Sequence, residues 1–148
     1  MGKKNKDGIK YITPKKADLE RRFKEYNEMY FDGALPPCKM MVSETIFGGF
    51  CSSAYNFIKI SNKDCWTEES LKLFIIHEMV HYYVHKVLNK NPIFAHGWTF
   101  NRVCDMLRKK YNLKVKFYEL PYVRTKGEKE PTILKRLLFK ILSFLIPF

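Results

Sequence analysis

The sequence predicts an α+β fold, with three core helices, a small three- to four-stranded sheet and a C-terminal amphipathic helix set apart from them. Three observations predict it. Apolar residues recur at helical spacing in three separate stretches. Short runs rich in β-branched and aromatic residues, punctuated by Gly and Pro, lie between the first and second of these. Hydrophobic residues make up 46% and aromatics 16% of a 148-residue chain, enough apolar material for one core and too much for wholesale disorder.

The first helix is expected from Ala17 to about Tyr30, where Leu19, Phe23, Tyr26, Met29 and Tyr30 form one stripe. Asp32-Gly33 and Leu35-Pro36-Pro37 end it and impose an extended turn. Strands are expected at Cys38–Ser43, Gly49–Tyr55 and Asn56–Ser61, the last two as a hairpin. Gly48-Gly49 permits a tight turn or a close backbone approach. Thr67 is placed to cap a second helix running to about Leu88, with Glu68 and Glu69 in its first turn. A third helix is expected from Gly97 to about Tyr111, with Phe100, Val103, Cys104, Leu107 and Tyr111 on one face. Trp98 and Phe100 are both expected in the core. Leu113–Glu119 alternates at its start as a half-buried strand does, and would be the fourth strand.

Outside residues 17–122 the chain changes character. Residues 1–16 carry six lysines against Asp7 and are expected to be a flexible basic segment. Residues 123–148 form a basic linker and an apolar tail. In that tail, Thr132, Arg136, Lys140 and Ser143 make one polar stripe on an otherwise apolar helix. Such a helix packs on its own domain, a second copy or a partner's groove, or lies in a membrane surface. The net charge of +12 sits wholly on the two ends, because residues 17–104 hold ten charges of each sign. Basic ends of this kind are either solvated tails or arms for a polyanion such as nucleic acid.

The opening residues carry charge without an apolar stretch, and no run of 18 apolar residues exists, so a cytoplasmic location is expected. Cys38, Cys51, Cys65 and Cys104 form no C-x-x-C pair, which excludes a cysteine zinc ribbon and reads as reduced thiols.

The strongest chemical signal is His77-Glu78-Met79-Val80-His81 on the second helix. Histidines four apart share one helix face, so their imidazoles can converge on a zinc ion. Glu78 is rotated about 100° from His77 and reaches water held at the metal rather than the metal itself. The apolar run Leu71–Ile76 just before it buries the helix and lowers the local dielectric. An extension with Gly at 84 and His at 87 is excluded by Val84 and Val87. A third ligand then comes from His85 or His96. His85 lies about 12 Å along the axis from His77, too far for a compact set. His96, after a loop and just before Gly97-Trp98-Thr99-Phe100, can swing back across the helix and is the expected ligand.

These two motifs together resemble the SprT family of zinc metalloproteases, which includes the Spartan DNA–protein crosslink proteases. Tyr26-Asn27, Tyr30-Phe31-Asp32-Gly33 and Leu35-Pro36 resemble that family's first helix and its exit, and the hairpin Gly49–Asn62 its short sheet. The likeness spans about residues 17–119. It implies a minimal zincin-like domain, one zinc on His77, His81 and His96, Glu78 as catalytic base, and protein substrates, some of them associated with nucleic acid. The zinc ribbon that many members carry is missing here, since no Cys pair follows Cys104. The other reading is a zinc-stabilised binding module whose basic ends do the work. Tyr55, Tyr82, Tyr83 and His85 are candidates for a second donor to the developing oxyanion.

Overall fold

The computed structural model of the chain describes residues 8–128, 132–135, 137, 138 and 141. Helix α1 spans Lys16–Phe31, and strands β1, β2 and β3 span Lys39–Ser43, Gly49–Ser52 and Phe57–Ser61. Helix α2 is Glu68–Lys86, helix α3 is Trp98–Tyr111, and a short 3-10 helix follows at Phe117–Glu119. The architecture is the α+β arrangement that the sequence predicts.

Local chemistry explains each boundary. Helix α1 stops where Asp32 and Gly33 take left-handed backbone at φ 54° and 69°. The Asn27 side chain then clamps the exit: its amide donates to the Leu35 carbonyl at 3.1 Å and its oxygen accepts the Leu35 N–H at 3.0 Å. That clamp aims Pro36-Pro37 into β1. Thr67 caps α2 as expected, its hydroxyl accepting the Ser70 N–H at 3.1 Å while the Ser70 hydroxyl accepts the Thr67 N–H at 2.9 Å.

The sheet order is β1-β3-β2. The expected hairpin is present, with β2 antiparallel to β3 and Cys51 opposite Ile58. Strand β1 pairs with the far side of β3 in parallel, Met40 opposite Ile58. Strand β2 is therefore an edge among the described residues, and it lies against α2. The core between sheet and helices holds Met40, Ile58, Ile60, Trp66, Leu71, Ile75, Met79, Tyr82 and Phe100, all inaccessible to solvent. Trp66 closes its open end and donates its indole N–H to the Ser61 carbonyl at 2.6 Å. The Tyr82 hydroxyl donates to the Pro37 carbonyl at 2.9 Å and locks α2 to the start of β1. All four cysteines are unpaired.

Two expectations fail here. The alternating stretch 113–119 is not a fourth strand. Leu113 and Val115 are buried as the alternation implies, but Phe117–Glu119 curls into the 3-10 helix and no ladder forms. Trp98 is not a core residue. Phe100, Val103, Cys104 and Leu107 define the buried face of α3. Trp98, two residues before Phe100, is turned about 200° away from it. It stays 72% exposed, with the Arg102 guanidinium 4.6 Å from its ring.

The segments flanking the domain make specific contacts with it. Ile12 donates its N–H to the Trp66 carbonyl at 2.8 Å, and Cys65 donates to the Arg124 carbonyl at 2.8 Å. Most of the tail expected to be amphipathic, residues 132–148, lies outside the described residues. Its described members 133–135, 137, 138 and 141 are helical and exposed. Lys135 pairs with Glu128 at 2.7 Å. Among the described residues no helix is long and apolar enough to cross a membrane.

Candidate metal centre

Helix α2 is buried along most of its length because Leu71, Ile75, Ile76, Met79 and Val80 pack into the core. The same rotation carries His77 and Glu78 inward, 3% and 6% exposed, with His81 half-buried one turn on. His96 reaches them from the loop before α3. Gly97 caps that helix without a side-chain bond, and the Asn101 amide donates to the His96 carbonyl at 2.8 Å, which fixes the loop against the first turn of α3. Phe100 supports all three imidazoles from below, its ring 4.4 Å from His81, 4.9 Å from His96 and 5.0 Å from His77.

The three Nε2 atoms converge. His77 and His81 each place Nε2 3.1 Å from Nε2 of His96. A tetrahedral zinc with bonds of 2.0–2.1 Å would hold its nitrogens about 3.3 Å apart. The donor set therefore fits a metal ion. His77 is also fixed from behind: its Nδ1 is 2.7 Å from the Val115 carbonyl oxygen. A proton on Nδ1 donates to that oxygen and leaves the Nε2 lone pair facing the other two histidines, the outer-sphere arrangement that a metal-bound imidazole needs. Burial pushes His77 down to about 3 and His96 down to about 4, and drives His81 well below its ordinary value as well. All three are thus neutral and able to ligate near pH 7.

Glu78 projects toward the edge strand instead of joining the triad. Burial raises its carboxyl to about 8, opposed in part by a hydrogen bond from the Cys51 backbone. A raised carboxyl contributes stability that is complete below the ordinary value of 4.5 and is lost as pH rises through about 8. In the chelator-treated protein, Glu78→Gln is therefore expected to melt higher than the native chain at pH 8, with little difference at pH 4. Thermal melts at the two pH values check this, and equal melting at pH 8 would contradict it.

Gly49 explains how the carboxylate comes so close. A Cβ at that position would lie 2.8 Å from Glu78 Cγ and Oε1. Gly49→Ala should displace the flexible Glu78 side chain more than the fold. The expected outcome is an unchanged melting temperature with a large loss of any Glu78-dependent activity, read by melting and turnover on the same sample.

A cleft of about 1060 Å³ opens over His77, Glu78, His81 and His96. The sequence reading names these four, and the structure brings all four together. Of the four side chains considered as second oxyanion donors, only His85 lines the cleft. Tyr82 is buried on Pro37, Tyr83 packs on Phe31 with ring centroids 5.5 Å apart, and Tyr55 is stacked on Phe57 at the surface. Two features were missed from sequence. One is the Val115 carbonyl behind His77. The other is Asp64, which accepts the Gly48 N–H at 2.6 Å and pins the loop leading into β2.

Residues 19–119 match the family model described as the SprT-like family. No curated protein matches the chain.

Proposed function

The chain belongs to the SprT-like family, a family associated with metalloprotease activity, and on that premise we propose that it is a zinc-dependent endopeptidase. The observation that carries the proposal is the convergence of three neutral imidazoles, their donor atoms within 4.8 Å of one another, beside a buried carboxylate on an open cleft. His77, His81 and His96, which all line the cleft, would hold the zinc. Bound there, zinc would bring the pKa of a coordinated water to about 7 and polarise a substrate carbonyl.

The chain's own residues supply the remainder. Glu78, buried beside the cleft, accepts a proton from the attacking water and returns it to the leaving amine. Phe100 beneath the imidazoles excludes water from that side of the site. Strand β2, with one edge unpaired among the described residues, offers backbone hydrogen bonds to an extended polypeptide running past Glu78. That geometry favours unfolded or flexible substrates. The test is hydrolysis of denatured casein by the zinc-loaded chain. Cleavage that is lost on chelation supports the reading. Stoichiometric zinc with no cleavage would favour a zinc-stabilised binding module.

Nucleic acid is the partner that the basic ends suit, and proteins bound to it are then substrates by proximity. Binding to DNA is expected to be independent of sequence and to weaken steeply with salt. Removal of residues 1–16, which carry six lysines, should flatten the salt slope. An unchanged slope would exclude that arm from phosphate contact.

A further inference from the structure

The cleft extends beyond the metal centre, and its lining is mostly apolar. Phe47, Phe74, Phe117, Leu120 and Val123 form an apolar wall in it, Phe117 stacking on His96 at 4.8 Å, alongside the charged Asp64, Glu128 and Lys135. The wall is built on rigid parts. Phe74 stands edge-on against buried Trp66 with ring centroids 4.9 Å apart. The loop before β2 sits directly on Phe74: Gly48 has φ +66°, and a Cβ there would be 3.1 Å from Phe74 Cε1. Asp64 ties the two sides of the cleft together: its buried carboxylate accepts the Gly48 N–H on one side and the Thr125 hydroxyl, at 3.5 Å, on the other, where the backbones of Asp64 and Thr125 also form a β-bridge. Phe47, at the mouth, is left 71% exposed.

We propose that this wall is the specificity pocket for one large apolar side chain, aromatic or long aliphatic, of an extended polypeptide lying along β2. The inference rests on the endopeptidase reading and adds its substrate class: chains with such a residue beside the cleaved bond. Its occupant follows from continuity. The pocket opens from the metal centre itself, and β2 borders both. Side chains of an extended strand alternate in direction, so a peptide paired to β2 sends every second one toward the wall while its backbone passes Glu78. An exposed aromatic and a mostly apolar lining favour a large apolar side chain over a small one, which would leave the pocket unfilled.

The test uses the zinc-loaded full chain carrying Glu78→Gln, which removes turnover, and two labelled peptides in a Gly/Ser background. One peptide contains a single Phe and the other has Ser at that place. Fluorescence anisotropy should give about tenfold or greater preference for the Phe peptide. Adding Phe47→Glu, a change at an exposed position that the fold tolerates, or Phe74→Ala should remove that preference. Equal affinities for the two peptides would overturn the proposal, as would a preference that survives both changes. With the native chain, cleavage at a bond next to the Phe supports the pocket, and cleavage at bonds unrelated to it counts against it. Failure of the native chain to cleave either peptide would tell against the endopeptidase reading, while the binding comparison would still decide the pocket.

Discussion

Replacing Glu78 by Gln is expected to lower proteolysis by about 10²–10⁴-fold while leaving zinc content and the folded state intact. The amide has nearly the same shape as the carboxylate and can still meet the Cys51 backbone, so the walls of the cleft need not move. What is lost is the ability to accept and return a proton. The imidazoles are untouched, because Glu78 is outside the set of atoms that converge. Turnover of denatured casein, zinc by atomic absorption and circular dichroism on one preparation check the three parts together. A variant that cleaves at the native rate would show that Glu78 is not the base.

The second large effect concerns the ligands. His96→Ala is expected to weaken zinc binding by more than the roughly 10–100-fold typical of losing an outer-sphere partner, because a donor itself disappears. The stabilisation that zinc gives the native chain should vanish with it, about 2.7 kcal/mol where free zinc is 100 times the dissociation constant. His85→Ala is the matched control. It removes a histidine from the same helix face, one turn beyond His81, yet His85 is not among the converging donors. It should keep one zinc per chain and the zinc-dependent rise in melting temperature. Loss of zinc in the His85 variant, with retention in the His96 variant, would reverse the ligand assignment.

Much of this site is legible in sequence because its parts obey local rules. His77 and His81 lie one helical turn apart, so the helix alone brings them together. Thr67 and the apolar run after it fix where that helix starts and which way it is buried. His96 is less local: its place just before the helix start at Gly97 lets it swing back over α2, and the resemblance to a family agrees with that reading. What was not legible depends on partners distant in the chain. The alternation of Leu113 and Val115 reports correctly that one face is buried, but nothing in it says whether a neighbouring strand exists. The Val115 carbonyl faces the His77 ring at 2.7 Å, and the chain then turns. The outward turn of Trp98 follows from its angle, since the stripe from Phe100 to Leu107 places it on the opposite face of α3. The Gly48-Gly49 pair signals a close backbone approach but not its partner, Glu78, and the parallel pairing of β1 with β3 is a product of packing with no signature in either segment.

The most direct measurement of the central claim is X-ray absorption at the zinc edge of the loaded, native chain. Three histidine ligands and an open position predict three nitrogens at about 2.0–2.1 Å, one further light atom from solvent, and no sulfur. A sulfur shell at about 2.3 Å would bring a cysteine into the site and contradict the account. So would four imidazole nitrogens, which would close the position that the attacking water requires.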